Sequence, residues 1–287
     1  MLGVNRIGFG AMRLPQVGPA FEPGSPPRDR SQAVDVLRKA VDLGVNHIDT
    51  AAFYFSALRS ANELINSALA PYPDDLVIAT KVGPSRDPSG DWRRPPATPG
   101  QLRGQVEENL RQLGRDHLDL VYLRAQEPTD LSDRFAALVE LQEAGLIRHL
   151  GISAVSEERL AEALAIAPVT AVQNAYGLGF RPEQDDLIRL CGEQDVAYVP
   201  YFSVATTNRE TGGTADPEEV QAIAKAHGAT PTQVLLAWTL ARGPNVFVIP
   251  GTGDPKHLAE NMASADLRLT AGEMAGLDAL HKRSQRL

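Results

Sequence analysis

The stretch Leu76-Val77-Ile78-Ala79-Thr80-Lys81 decides the fold class, together with the earlier stretch Asn46-His47-Ile48-Asp49-Thr50. Each contains a short apolar run typical of a buried strand, and each ends on polar side chains. In a barrel of parallel strands, each wrapped by a helix, the carboxyl ends of the strands converge on one mouth, and polar residues there carry the chemistry. The two stretches therefore predict that Asp49 and Lys81 meet at such a mouth, with Tyr54 just beyond the first of them.

Eight short apolar runs are candidate strands. They lie at 7–12, 45–49, 76–82, 118–124, 147–153, 170–176, 196–202 and 246–250. Helical patterns separate them, as a parallel sheet requires, because each crossover needs an element that returns the chain. This alternation is typical of an α/β fold, and 287 residues are near the roughly 250 of a TIM barrel. We therefore expect residues 1–287 to form a single (β/α)8 TIM barrel domain.

Helix-boundary signals and two polar loops support this organisation. Thr98-Pro99-Gly100-Gln101 combines an N-cap, a first-turn proline and a capping box, and Gly44 is a stop signal after the first helical stripe. The segments 15–30 and 84–99 are rich in proline, glycine and charge, which is typical of loops. Their positions after the first and third strands place both loops at the mouth of the barrel.

The composition argues against several classes of protein. Hydrophobic residues make up 43% of the chain, enough for a large core, so disorder is not expected. The net charge of -8 argues against a nucleic-acid or anionic-membrane surface. The single cysteine, Cys191, allows no intramolecular disulfide and is expected to be a buried structural thiol. Because there is no signal segment and no apolar run near the ~18 residues that span a bilayer, we expect a cytoplasmic protein.

The spacing of reactive residues argues against three other chemistries. The six histidines show no paired helical spacing, which predicts that no catalytic metal is bound. The chain contains no serine nucleophile elbow. No glycine-rich dinucleotide fingerprint follows the first strand, so a Rossmann fold is not expected.

Asp49, Tyr54 and Lys81 form a chemically competent set. A tyrosine hydroxyl has a reference pKa near ~10, so it can donate a proton at neutral pH, and a neighbouring lysine cation would lower that pKa. Asp49 would anchor the lysine. The residues alone leave two other interpretations open: a structural Asp49–Lys81 ion pair, and Tyr54 as an aromatic packing residue beside Phe53 and Phe55.

Several motifs occur in a characteristic order. They are Gly8-Phe9-Gly10-Ala11-Met12, Asn46-His47-Ile48-Asp49-Thr50-Ala51 followed by Tyr54, Lys81, Gly151-Ile152-Ser153, Val172-Gln173-Asn174, and Ile249-Pro250-Gly251-Thr252 with Glu260-Asn261. With these motifs the chain resembles the aldo-keto reductases over essentially its whole length. Within that family it is most similar to bacterial pyridoxal reductases, through Pro26-Pro27-Arg28-Asp29-Arg30, Ala197-Tyr198-Val199-Pro200 and the motifs at 45–50, 172–174 and 249–252.

The resemblance implies a mechanism and a cofactor site. A hydride from NADP(H) would add to a carbonyl carbon while Tyr54 gives a proton to the oxygen, with Lys81 and Asp49 tuning that donor. Ser153 and Gln173 would bind the nicotinamide carboxamide. The other implied cofactor-binding residues are Gly10, Met12, Asp49, Tyr201 stacked on the ring, Ser203, Gly251, Thr252, Lys256, His257, Glu260 and Asn261.

Parts of the cofactor site depart from the family pattern. Ala154 replaces the customary asparagine, and Ser203 replaces a frequent proline. Lys256 and His257, which stands where the family often has arginine, precede a helix whose amino-terminal N–H groups favour a phosphate. NADPH is therefore expected to bind in preference to NADH.

Arg124 ends the fourth strand, where most members of the family have a histidine. A guanidinium does not accept a proton at physiological pH, but it can polarise a carbonyl oxygen or hold an anionic substrate group. The pyridoxal reductase branch is similar in carrying an arginine at this position. The alternative is an ion pair with Asp119 or Glu127.

Trp92 and Phe55, in the loops of the mouth, are candidate substrate-pocket residues. We therefore expect an NADP(H)-dependent aldo-keto reductase that reduces an aldehyde, specifically pyridoxal to pyridoxine, with a small-molecule carbonyl as its partner. One alternative is a biosynthetic reductase of another aldehyde or ketone, because substrate choice lies in variable loops. The other is a nicotinamide-binding regulatory protein that senses redox state; Arg124, Ala154 and Phe55, in place of a common glycine, leave it open.

Overall fold

The computed structural model of the protein describes residues 3–18, 20–22, 24–93, 95–125, 130–179, 181–204 and 217–283. Seven parallel strands lie side by side in chain order. They are β1 Phe9–Gly10, β2 His47–Asp49, β3 Val77–Val82, β4 Leu118–Arg124, β5 Ile147–Ser153, β6 Ala171–Gln173 and β7 Ala197–Tyr198. Seven of the eight predicted strands are therefore confirmed, several of them shorter than expected.

The segment 246–248 occupies the eighth strand position and closes the sheet. Val246 bridges Tyr198 on one side and Val248 bridges Ile7 on the other, both in parallel. The Phe247 N–H donates to the Tyr198 carbonyl at 2.9 Å, and the Gly8 N–H donates to the Val248 carbonyl at 2.8 Å. This closure confirms the predicted (β/α)8 barrel.

The described helices surround the sheet. They are α1 Arg30–Asp42, α2 Ala61–Leu69, α3 Pro99–Leu113, α4 Ser132–Glu143, α5 Glu157–Leu164, α6 Asp185–Glu193, α7 Glu218–Ala226, α8 Pro231–Leu240, α9 Pro255–Ala263 and α10 Ala271–Arg283. The short 3-10 helices Ala11–Arg13 and Pro182–Gln184 follow β1 and precede α6. None of the helices in the described ranges is long and apolar enough to cross a membrane.

Local sequence signals explain where the helices begin and end. The capping box at the start of α3 forms as predicted, with the Thr98 N–H donating to Gln101 Oε1 at 2.9 Å. Gly44 follows the end of α1 with a φ of +89°, a left-handed conformation that glycine adopts without a steric penalty. Cys191 is buried in α6, and burial raises the pKa of its thiol to about 12, as expected of an unreactive structural cysteine.

The interior of the barrel is a small apolar core below a polar upper end. Ala79, Leu120, Tyr122, Ala171 and Val199 are buried together there. A Cβ atom at Gly151 would lie 2.7 Å from the Tyr122 ring, so the glycine makes room for that ring. Above this core the carboxyl ends of the strands carry polar side chains, which places the candidate site at the predicted mouth.

Candidate active site

Asp49 and Lys81 form a buried ion pair at the upper end of the barrel. Strands β2 and β3 pair with Asp49 opposite Ala79, so Lys81 extends two residues further toward the mouth. Its Nζ lies 2.5 Å from Asp49 Oδ1, and the two side chains are only 2% and 4% exposed. Nζ also donates to the Thr50 carbonyl at 3.0 Å. Because both side chains are buried, each charge depends on these partners for its stabilisation.

Tyr54 lies beside this pair, in the loop between β2 and α2. Its side chain is buried, and the Lys81 ammonium is 4.9 Å from the centroid of its ring. The ring also packs edge-on against Phe53, at 5.2 Å between centroids, and in a tilted arrangement against Phe21, at 5.7 Å. The three residues predicted to meet at the mouth are therefore neighbours.

Burial changes the pKa values in this group. Burial raises the pKa of Tyr54, and the opposing effect of the Lys81 cation is smaller. Burial acts to lower the pKa of Lys81, but the Asp49 carboxylate and Tyr54 outweigh it, so the lysine pKa is raised. Lys81 acts to lower the Tyr54 pKa as expected, but desolvation of the phenolate is the larger effect, so the net pKa is raised rather than lowered. Tyr54 is neutral and Lys81 is charged at neutral pH.

Arg124 ends β4 with its side chain partly exposed at the mouth. Its guanidinium carbon lies 5.3 Å from the centroid of the Tyr201 ring. Asp119, the first of its two predicted ion-pair partners, pairs instead with Arg115 at 3.2 Å and accepts the Ile78 N–H at 3.0 Å. The predicted pairing of Arg124 with Asp119 is therefore wrong, because residues 119 and 124 lie at different heights of β4. The other predicted partner, Glu127, lies outside the described residues.

Two of the buried polar atoms that have no hydrogen-bond partner within the described ranges lie at the ends of β5 and β6. They are Ser153 Oγ and Gln173 Oε1, on adjacent strands and opposite each other in register. The amide nitrogen of Gln173 donates to Asp49 Oδ2 at 2.8 Å. Because buried polar atoms are normally satisfied, a free hydroxyl and a free carbonyl oxygen fit a ligand that carries an amide, as the carboxamide of nicotinamide does.

The neighbouring part of the predicted cofactor site includes an unusual backbone conformation. Ala154 has a φ of +60°, a left-handed conformation that is strained for alanine and tolerated by asparagine. This explains why asparagine suits the position and why its replacement by alanine is unexpected. Tyr201 is half-buried and Ser203 is buried, both in the segment that follows β7.

Close backbone packing explains two predicted cofactor-binding glycines. A Cβ atom at Gly10 would lie 2.5 Å from the Ile249 carbonyl oxygen, and one at Gly251 would contact the Gly10 carbonyl oxygen. Both glycines therefore allow β1 to approach the segment that closes the barrel. Met12, in the 3-10 helix after β1, and Thr252 are partly exposed nearby, and the cofactor contacts of all four residues stay predictions.

The start of α9 brings the predicted phosphate-site residues together, but with compensated charge. Asp254 caps the helix, accepting the Lys256 N–H at 2.8 Å. The Lys256 ammonium is 3.8 Å from Glu260 Oε1, and His257 Nδ1 is 3.9 Å from Asp254 Oδ2. Asn261 is buried in the same helix.

Arg28 is a cation near this loop that the sequence interpretation missed. A Cβ atom at Gly253 would collide with its guanidinium, so Arg28 lies directly against the loop before α9. It also donates to the Arg13 and Gln16 carbonyls, each at 3.3 Å. No local sequence signal links residues 28 and 253, because only the tertiary fold brings them together.

The loops of the mouth contribute aromatic side chains. Trp92 is 44% exposed and packs against Phe21 at 5.3 Å and Phe53 at 5.5 Å between ring centroids. We call Phe21, Phe53, Tyr54 and Trp92 the aromatic cluster. Phe55 is partly buried and lies against the Arg86 guanidinium at 4.6 Å. Trp92 and Phe55 were predicted at the pocket, whereas Phe21 and Arg86 were not.

The comparisons with known proteins agree with this geometry. The sequence model of the aldo/keto reductase family matches residues 6–282. The chain is 41% identical to pyridoxine 4-dehydrogenase of Escherichia coli strain K12, over 97% of this chain and 96% of that protein.

Two solved structures from Klebsiella pneumoniae are also similar. An aldo-keto reductase in complex with NADPH has a TM-score of 0.81 and 28% identity, covering 97% of this chain and 91% of that one. An aldo/keto reductase in complex with NADP and acetate has a TM-score of 0.79 and 27% identity, with 97% and 92% coverage. The chain belongs to the aldo/keto reductase family.

Proposed function

We propose that this protein is an oxidoreductase that uses NADP(H) to reduce an aldehyde to an alcohol, and that pyridoxal, which becomes pyridoxine, is its substrate. One observation carries the proposal: a neutral, buried Tyr54 lies beside the buried Lys81–Asp49 pair at the barrel mouth. A proton donor with a charged neighbour is what a carbonyl oxygen needs as it gains negative charge.

The residues of this chain fit the cofactor. Ser153 Oγ and Gln173 Oε1 are buried and unpartnered within the described ranges, so they would hold the carboxamide, and Tyr201 would lie against the ring. When bound, NADPH supplies the hydride. The two similar proteins from Klebsiella pneumoniae were crystallised with NADP or NADPH, which supports the same cofactor here.

Tyr54 would act on the substrate as a general acid. As the carbonyl carbon gains the hydride, the Tyr54 hydroxyl gives its proton to the oxygen, and the product is an alcohol. Lys81 remains protonated, so its positive charge stabilises the phenolate that forms. Asp49 holds the Lys81 ammonium in place through their 2.5 Å contact.

The mouth suits a flat ring with an ionisable substituent. The aromatic cluster supplies apolar walls, and Arg124 supplies a cation that can pair with a ring oxygen such as the phenolic oxygen of pyridoxal. The similarity to pyridoxine 4-dehydrogenase supports the same substrate pair. Because the loops that decide specificity vary freely on this barrel, the substrate needs a direct test.

The test is NADPH oxidation against a panel of carbonyl compounds. The panel contains pyridoxal, a simple aromatic aldehyde, an aliphatic aldehyde and a ketone, and the alcohol product is identified by chromatography. We expect the highest kcat/KM with pyridoxal, and NADP+ reduction with pyridoxine in the reverse direction. Faster turnover of another carbonyl would overturn pyridoxal as the substrate. Tight NADPH binding without turnover of any member would overturn the enzymatic proposal and favour a regulatory protein.

A further inference from the structure

Arg86 lies where two loops of the mouth meet, and it contacts the loop that carries Tyr54. Its Nη1 donates to the Phe55 carbonyl at 2.9 Å and to the Phe53 carbonyl at 3.3 Å. These two carbonyls are on either side of Tyr54 in the chain. One guanidinium nitrogen therefore holds the backbone both before and after the proposed proton donor.

The same guanidinium also orders its own loop. Arg86 Nε donates to the Gly90 carbonyl at 2.8 Å. The Asp87 carboxylate accepts the Ser89 N–H at 2.9 Å and the Gly90 N–H at 3.1 Å, which fixes the turn. The backbone then returns so that Trp92 bridges Arg86 in an antiparallel pair. The position of Trp92 is therefore coupled to that of Arg86.

Three aromatic rings surround the buried cation. The Arg86 guanidinium carbon is 4.6 Å from the Phe55 centroid, 5.2 Å from Phe21 and 5.9 Å from Trp92. Arg86 is only 9% exposed. These rings come from three different loops, so the cation is a shared contact for the whole substrate side of the mouth.

We propose that Arg86 is a positioning residue for the reduction. It joins the Tyr54 loop to the Trp92 loop and thereby fixes the positions of the proton donor and of the aromatic cluster. This inference rests on the proposed function. An arginine suits the role because its planar group donates in several fixed directions, whereas lysine offers one compact charge. A proton donor displaced by about 1 Å can lose roughly 10²-fold in rate, so removing the contacts of Arg86 with the Tyr54 loop should reduce kcat.

The test compares Arg86→Met, Arg86→Lys and the control Arg93→Met, with the best substrate of the carbonyl panel. Arg93 lies in the same loop with an exposed side chain. We expect Arg86→Met to lower kcat about 10-fold or more, with NADPH affinity within about 2-fold of wild type. Arg86→Lys should remain impaired, because it restores the charge without the fork of donors. Arg93→Met should resemble wild type.

A second readout needs neither cofactor nor substrate. The chain has two tryptophans, of which Trp238 is buried, so subtracting the spectrum of a Trp92→Phe variant isolates the emission of Trp92. In Arg86→Met this emission should shift to the red, and acrylamide should quench it more strongly. Arg93→Met should leave both properties unchanged.

Each result decides a different point. Wild-type kcat in Arg86→Met, or full recovery of kcat by Arg86→Lys, would overturn the positioning role. Equal losses of kcat and NADPH affinity, with unchanged Trp92 emission, would also overturn it and indicate a general structural defect. If wild type reduces no member of the panel, the proposed function fails and the catalytic role of Arg86 fails with it. In that case the emission data still decide whether Arg86 joins the two loops.

Discussion

At the scale of single residues, the Tyr54 hydroxyl combines burial with a nearby cation. Burial raises its pKa, and Lys81, itself held by Asp49, opposes that rise without reversing it. A donor of this kind holds its proton throughout the physiological range and releases it only to a base as strong as a developing alkoxide.

This protonation state predicts the pH profile of the reduction. Because the pKa of Tyr54 is raised above its ordinary value near ~10, kcat for reduction should be flat between about pH 6 and pH 9 and should fall only at higher pH. Initial rates of NADPH oxidation at saturating substrate measure it. A loss of activity centred in the neutral range would show instead that an ionisation other than that of a raised tyrosine controls the reaction.

Arg124 is expected to select the substrate at the barrel mouth. If its guanidinium holds a ring oxygen, Arg124→Lys should lower kcat/KM for pyridoxal about 10-fold and leave NADPH binding intact, because lysine lacks the two-pronged geometry. Arg124→His should raise activity on simple aldehydes and depress it on pyridoxal. Steady-state kinetics on both substrates decide the matter. Unchanged kinetics with only a lower melting temperature would indicate a structural arginine.

At the scale of elements, we expect the capping residue at the start of α9 to influence cofactor choice. Asp254 caps the helix through the Lys256 N–H, which places a carboxylate where the helix dipole would otherwise favour a phosphate. The nearby basic side chains also have carboxylate neighbours, at 3.8 Å for Lys256 and 3.9 Å for His257. The preference for NADPH over NADH should therefore be weaker than at a helix start that carries no carboxylate.

Replacing this carboxylate predicts a measurable change. Asp254→Ser keeps an oxygen that can cap the helix but removes the charge, so the affinity ratio of NADPH to NADH should rise by roughly 3-fold to 10-fold. Fluorescence titration of both cofactors measures the ratio. Asp266→Ser, which removes an exposed negative charge beyond the other end of α9, is the control and should leave the ratio unchanged. An equal ratio in all three proteins would place the adenosine phosphate elsewhere.

The elements also show what sequence reasoning can and cannot supply. Apolar runs located the strands, and because parallel strands end at one mouth, they located Asp49 and Lys81 as neighbours as well. The contact of Arg86 with the Phe53 and Phe55 carbonyls was out of reach, since no periodicity relates two loops. The raised Tyr54 pKa was also missed, because desolvation depends on packing that only the folded barrel provides.

At the scale of the whole molecule, the barrel closes through a short seam, in which Val246 pairs with Tyr198 and Val248 pairs with Ile7. Arg6 reinforces this seam. Its Nε donates to the Val246 carbonyl at 3.0 Å, and its Nη2 donates to the Leu240 carbonyl at 2.5 Å and to the Gly243 carbonyl at 2.6 Å. Through these three acceptors, Arg6 connects the chain before β1 to the end of α8 and to the closing segment. Stability of the seam therefore depends on a side chain as well as on backbone pairing.

Arg6→Met should lower the free energy of unfolding by about 1 to 3 kcal/mol, because three carbonyls lose a charged donor. Urea denaturation measures the change. Arg103→Met is the control, since Arg103 is 54% exposed with only a 3.7 Å contact to Glu107, and an exposed pair of this kind contributes about 0.2 to 1 kcal/mol. Equal effects of the two substitutions would contradict the role assigned to Arg6.

The central claim is that Tyr54, beside the Lys81–Asp49 pair, gives the proton in an NADPH-dependent carbonyl reduction. The most direct measurement is single-turnover NADPH oxidation with pyridoxal in wild type and in Tyr54→Phe, which keeps the ring contacts with Phe53 and Phe21. We expect the rate to fall by about 10²-fold or more while NADPH affinity stays the same. A Tyr54→Phe enzyme that turns over at nearly the wild-type rate would remove Tyr54 from the mechanism and contradict the claim.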